Sequence, residues 1–177
     1  MPELTSDFDY KVRHPEWAIT DIKEVHKVAF YISKKASDWQ IVDARGAARF
    51  NGEVPEPREG VRSGHITGSV NLPFGDLINA EEGTLKSDKE IAKILLAKNI
   101  DTSMPIINSC GSGVTACIVD LALRIMGAEN SRVYDGSWTE YVSYQSANSC
   151  RVQFLSQTSA PATGTPQVRS DCLNKLN

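Results

Sequence analysis

Met104-Pro105-Ile106-Ile107-Asn108-Ser109-Cys110-Gly111-Ser112-Gly113-Val114-Thr115-Ala116 is the stretch on which the fold turns. Its apolar start has the character of a buried strand, and a helical pattern runs out of it from Val114 to Met126. Cys110 is therefore expected on a strand-to-helix turn. The first turn of a helix leaves backbone N–H groups unpaired at the positive end of the macrodipole. With Gly111 and Gly113 lacking side chains, those N–H groups are free to curl around an anion. The Cys110 thiolate is that anion on this reading, and a lowered thiol pKa makes it a nucleophile at neutral pH. A free cysteine that merely ends a strand in the core is the plain alternative. Two glycines flanking Ser112 waste packing that such a residue would need.

Working outward from the loop, Val114, Cys117, Ile118, Leu121, Ala122, Ile125 and Met126 predict one apolar helix face, with Gly127 at its end. Before the loop, Ser87 and Glu90 form a capping box that opens a helix over 88–98. Asp21 and Glu24 give a weaker start signal for a helix over 21–36, with Ile22, Val25, Val28, Ala29 and Ile32 at helical spacing. His26 falls inside it and reads as a surface or boundary residue.

Gln40-Ile41-Val42-Asp43-Ala44-Arg45 predicts a short buried strand ending in charge, where parallel sheets place functional groups. From Gly46 to Gly64 the chain reads as a long loop carrying Arg49, Arg58 and Arg62. Arginine suits two-pronged recognition of a carboxylate, which makes Arg49 and Arg58 candidates. Pairing with Glu53, Glu56 and Glu59 explains the same arginines equally well. Gly64 to Pro73 reads as a turn and a strand; His65 is a turn residue rather than a base for Cys110. Arg132-Val133-Tyr134-Asp135 predicts another strand, and Gly136-Ser137-Trp138 turns into a helical segment with Tyr141 and Tyr144. Alternating strands and helices argue for an α/β fold with a parallel sheet covered on both faces.

The bulk properties narrow the class. A chain of 177 residues with net charge -3 offers one core and no general attraction to nucleic acid or anionic lipid. Cys110, Cys117, Cys150 and Cys172 show no zinc-ligand spacing, so no metal is expected. A reducing compartment fits better than a disulfide framework, although a Cys150–Cys172 bridge is conceivable. No apolar run approaches the roughly 20 residues of a membrane span, so a cytoplasmic location is expected, or a mitochondrial one if the N-terminus is incomplete. Residues 1–19 read as an arm or interdomain linker, 20–144 as the domain, and 145–177 as a disordered tail rich in Ser, Thr, Gln and Pro.

Four ordered segments, Val42–Arg45, Gly64–Pro73, the Cys110 loop and Tyr134–Trp138, together closely resemble the rhodanese domain over roughly residues 20–144. The resemblance implies a five-stranded parallel sheet flanked by helices, with Cys110 in a cradle made by Gly111, Ser112, Gly113, Val114 and Thr115. Within the family, thiosulfate sulfurtransferases typically carry basic residues after the cysteine. Cys-Gly-Ser-Gly-Val-Thr instead looks like the 3-mercaptopyruvate sulfurtransferases. A neutral loop also offers little extra charge to a dianion. The resemblance extends to Arg49–Gly52 and Pro55–Arg58, and it resolves the ambiguity of the arginines by implying that Arg49 and Arg58 hold the substrate's carboxylate and keto oxygen. It gives Ser112 a hydroxyl role beside the reacting sulfur, polarising the substrate or passing a proton. Asp43 and Arg45 are expected to buttress the loop, and Trp138 to wall the pocket.

The implied activity is sulfur transfer through a Cys110 persulfide to a thiol such as thioredoxin, or to cyanide in an assay, with no organic cofactor. Enzymes of this type carry two such domains in tandem, and this chain matches the second alone. An N-terminal rhodanese domain is therefore an expected missing partner, unless the chain is a single-domain relative. Two rivals share the fold. Cysteine phosphatases need an arginine closing the loop, where Ala116 or Cys117 stands here. Non-catalytic rhodanese modules commonly lose the cysteine that this chain retains.

Overall fold

The computed structural model describes residues 18–158, with side chains to position 147. His14, Cys172, the side chain of Cys150, most of the expected arm and the end of the expected tail lie outside the described residues. Strands β1 (Ile19–Thr20), β2 (Gln40–Asp43), β3 (Val70–Asn71), β6 (Ile106–Ser109) and β7 (Ser131–Tyr134) form a five-stranded sheet in the order β1-β7-β6-β2-β3. Every pairing is parallel, with Asp43 opposite Ser109 and Val42 opposite Val70. A small antiparallel pair, β4 (Ile78–Asn79) and β5 (Thr84–Leu85), stands apart from it. The edge strand β1 is two residues long, too short for any alternation to announce it in the sequence.

Helices cover both faces. On one, α3 (Asp88–Ala97) and α4 (Val114–Ile125) bury Ile91, Leu95, Val119 and Leu123 against Val42, Leu72 and Ile106. On the other, α1 (Ile22–Ser33) and α5 (Ser137–Thr158) close over Ile41 and Ile107 with Val25, Val28, Trp138 and Tyr141. The caps follow the sequence. Asp21 accepts the Glu24 N–H at 2.9 Å, and the Glu90 carboxylate accepts the Ser87 N–H at 3.1 Å. His26 is half-buried and stacks on Tyr141, with ring centroids 4.6 Å apart.

Three expectations change. The buried face of α4 is Ala116, Val119, Ala122 and Leu123, while Val114, Leu121 and Ile125 are 72%, 54% and 51% exposed and Cys117 is exposed as well. The helix is apolar nearly all round, so periodicity alone could not choose its inner side. Alanines at 116 and 122 let that side lie close on the sheet. The region after Gly46 begins with a short helix, α2 (Ala47–Phe50), before it becomes a loop. Finally, α5 runs past the boundary expected at 145. No proline or glycine interrupts the chain between Trp138 and Pro161, and Ser, Gln, Asn and Ala are tolerated in a helix that has already been started.

Candidate active site

Cys110 follows β6 at the carboxyl end of the sheet and is 3% exposed. Gly113, with φ of 85°, caps α4 and turns the chain back beneath the sulfur. The Ser112 N–H donates to Cys110 Sγ at 3.4 Å. Burial by itself pushes the thiol pKa up. That effect is outweighed by hydrogen bonds from the Thr115 hydroxyl and the Ser112 and Ala116 N–H groups, which leave the thiol more acidic than an ordinary cysteine. Cys117 moves the opposite way, raised by partial desolvation and by the nearby charge of Asp120. The cysteine before α4 is thus made more acidic and the one within it less so.

The two loop glycines have steric reasons beyond freeing N–H groups. A Cβ at Gly113 would lie 2.8 Å from the Asp135 carbonyl oxygen, and one at Gly111 would lie 2.7 Å from Arg49 Nη2. The loop therefore passes within contact of β7's end on one side and of a guanidinium on the other.

Its outer support is the start of α5, which sequence reasoning quoted without assigning a role. Ser137 adopts φ of 49°, and its Oγ accepts the N–H groups of Cys110 and Gly113, each at 3.0 Å. Its own proton goes to the Tyr134 carbonyl at 2.8 Å. Trp138 N–H donates to Cys110 O at 3.0 Å, and Thr139 Oγ1 donates to Gly111 O at 2.7 Å. No local sequence pattern signals this role, because both contacts join Ser137 to residues more than twenty positions away.

A cavity of about 210 Å³ opens over the sulfur. Cys110, Gly111, Ser112, Val114 and Thr115 form its floor, and Arg49, Glu56, Pro57, Arg58 and Thr139 its walls. Both predicted arginines are thus brought to the predicted nucleophile. Arg49 also makes the ion pair that composition had offered as the alternative, with Nη2 2.6 Å from Glu56 Oε2. The two readings of Arg49 are compatible. Arg58 is exposed and has no ion pair among the described residues.

Trp138 does not line this cavity. It is 2% exposed, donates from Nε1 to Arg62 O at 2.8 Å and packs under the Arg45 guanidinium, because the turn at Ser137 directs it into the core. His65 is likewise elsewhere, stacked on Phe50 and bonded through Nδ1 to Phe50 O at 2.8 Å. Asp43 and Arg45 form a buried bidentate pair that reaches Glu56, so they support the wall of the site. A larger cavity, about 530 Å³, lies at the far ends of α3 and α4 between Leu95, Ile100 and Met126, and holds no cysteine or histidine. Among the described residues no cluster of His, Cys, Asp and Glu suits a metal, and no helix is long and apolar enough to cross a membrane.

The comparisons with known proteins meet this geometry. The family described as rhodanese-like domain matches residues 29–144. The 3-mercaptopyruvate sulfurtransferase of Rattus norvegicus is 49% identical over 106 residues, covering 60% of this chain and 35% of the relative. The thiosulfate sulfurtransferase of Mus musculus is 46% identical over 104 residues, covering 58% and 35%. Among solved structures, the 3-mercaptopyruvate sulfotransferase SseA from Escherichia coli aligns with a TM-score of 0.56 at 40% identity, over 70% of this chain and 43% of that one. The chain spans about a third of the length of the curated relatives it matches. With the parallel sheet, the cysteine cradle and a family match across the whole site in agreement, the chain belongs to the rhodanese-like domain family.

Proposed function

We propose that this domain transfers sulfur from 3-mercaptopyruvate to a thiol acceptor through a persulfide on Cys110. The observation that carries the reading is a buried, acidified thiol in a loop without charged side chains, facing a wall that presents two arginines. The loop itself stabilises one negative sulfur through N–H and hydroxyl groups. The cationic groups belong to the wall of the same cavity, where a carboxylate-bearing substrate would meet them.

In the first half-reaction the Cys110 thiolate attacks the sulfur of 3-mercaptopyruvate and forms the S–S bond. The C–S bond breaks, and its electron pair leaves with carbon as the enolate of pyruvate. The proton of the substrate thiol then moves to that carbon, giving pyruvate and a Cys110 persulfide anion. On this reading Ser112, which lines the cavity, supplies the hydroxyl that relays it. Arg49 and Arg58 orient the carboxylate and keto oxygen and offset charge on the enolate oxygen. The persulfide's outer sulfur replaces the thiolate as the anion of the cradle formed by Gly111, Gly113, Val114 and Thr115. In the second half-reaction an acceptor thiolate, such as that of thioredoxin, attacks the outer sulfur and restores the Cys110 thiolate. A preceding rhodanese-type domain, as the tandem enzymes carry, would cover the cavity mouth.

Mass spectrometry after mixing with either 3-mercaptopyruvate or thiosulfate tests the reading. One sulfur gained on Cys110 from 3-mercaptopyruvate, absent in Cys110→Ser and reduced in Arg49→Ala, is the expected result. Loading from thiosulfate alone would move the assignment to a thiosulfate sulfurtransferase. Loading from neither donor would refute catalysis by this domain alone.

A further inference from the structure

Glu56 comes from an exposed loop, yet its side chain is only 3% exposed. Both of its oxygens are engaged by arginine. Oε1 accepts from Arg45 Nη1 at 2.9 Å and from Arg49 Nε at 3.2 Å, and Oε2 accepts from Arg49 Nη2 at 2.6 Å. Arg45 is anchored in turn, with Nε and Nη2 on Asp43 and Nη2 also on the Gly64 carbonyl. Alternating charges therefore run Asp43, Arg45, Glu56, Arg49 from the end of β2 to the cavity. The first three are buried, and Arg49 emerges at 32% exposure. Burial pushes the Glu56 carboxyl up, but the hydrogen bond from Arg49 and the charges of Arg45 and Arg49 hold it below the usual range, so it is an anion at neutral pH.

Which edge of Arg49 is taken matters. A guanidinium offers five N–H donors in a planar fork. Glu56 occupies the Nε/Nη2 edge, leaving both N–H groups of Nη1 and one of Nη2. That end of the group faces the catalytic loop: from a Cβ position at Gly111, Nη2 lies 2.7 Å away and Nη1 3.9 Å. The free edge is the one that fits a carboxylate with two parallel hydrogen bonds.

We propose that Glu56 is a positioning residue, which fixes Arg49 so that its free Nη1/Nη2 edge receives the substrate's carboxylate above Cys110. The inference rests on the reading of Arg49 as the anion-receiving group. It also differs in sign from the simplest alternative, in which Glu56 only neutralises Arg49. Removing a neutralising carboxylate strengthens attraction for an anion, whereas removing a positioning one weakens it.

Alkylation of Cys110 by iodoacetate and by iodoacetamide separates the two, with Cys110 followed by peptide mass spectrometry. The reagents are nearly equal in size and meet the same thiolate, so their rate ratio cancels changes in thiol pKa and access. In Glu56→Gln the iodoacetate-to-iodoacetamide ratio falls about tenfold, the effect of one misplaced charge-assisted contact. Glu56→Asp, which keeps the charge but shortens the reach, lowers the ratio too. Arg49→Ala lowers it, and adding Glu56→Gln to Arg49→Ala changes it no further. A rise or no change in Glu56→Gln, equal slowing of both reagents, or a further fall on the Arg49→Ala background each overturns the proposal. Should Glu56→Gln fail to fold by thermal unfolding, Glu56→Asp decides: a retained wild-type ratio overturns the role. An unchanged ratio in Arg49→Ala would instead refute the anion-receiving reading of Arg49 itself.

Discussion

The two halves of the site are built by different means. The Cys110 cradle is local: six consecutive residues and the start of one helix aim N–H groups and a hydroxyl at the sulfur. The arginine wall is assembled at longer range, from an ion-pair chain that starts at Asp43 and ends on the cavity wall at Glu56 and Arg49. A cradle of backbone dipoles has little freedom to move and stabilises a small anion that is part of the chain. A side-chain charge needs an anchor before it can orient an anion that arrives from solution. The difference predicts that damage to the cradle lowers stability and sulfur reactivity, while displacing Arg49 at the wall alters the recognition of an arriving anion.

The largest effect falls on the cradle. In Gly113→Ala the new methyl meets Asp135 backbone at 2.8 Å in a conformation with φ of 85°. Left-handed strain and overpacking together cost about 3 kcal/mol. Thermal unfolding at a clearly lower Tm, with loss of Cys110 alkylation, is expected; an unchanged Tm would mean that the loop relaxes freely and the cradle is not rigid.

Next comes Thr115→Val, which removes one hydroxyl donor to the sulfur without changing shape. The Cys110 pKa rises because the anion loses a partner while the neutral thiol loses little. Alkylation by iodoacetamide then slows about tenfold at neutral pH and recovers as pH rises through the new pKa. A rate-against-pH profile that coincides with the wild type would remove Thr115 from the account of the thiolate.

The smallest effect sharpens the contrast, because Gly111 is where the halves touch. In Gly111→Ala the methyl meets Arg49 Nη2, the end of a side chain held by Glu56, rather than backbone. Arg49 yields, so on the proposed function the loading of Cys110 from 3-mercaptopyruvate weakens severalfold while Tm and the iodoacetamide rate stay near wild type. A drop in Tm like that of Gly113→Ala would show that both glycines serve the same rigid element.

Legibility in the sequence follows the same division. The glycine pair around Ser112, the capping box at Ser87 and the buried strand over Ile106–Ser109 are short-range patterns, and each appears in the structure where the sequence places it. The outer face of α4 was misjudged because Val114, Cys117, Leu121 and Ile125 are as apolar as the buried positions. Ser137 was quoted but not understood, since its two acceptor contacts join residues more than twenty positions apart.

Periodicity, caps and glycine spacing act over a few residues, so an alternating α/β chain, a cysteine at a strand-to-helix turn and arginines near acidic partners can be read without any coordinates. The folded chain is needed to see which side of α4 meets the sheet, that Ser137 pins the loop and that Glu56 pairs with Arg49 at the cavity wall. Those are outcomes of packing between distant segments, where burial and charge partners are chosen by the whole sheet and not by neighbours in the chain.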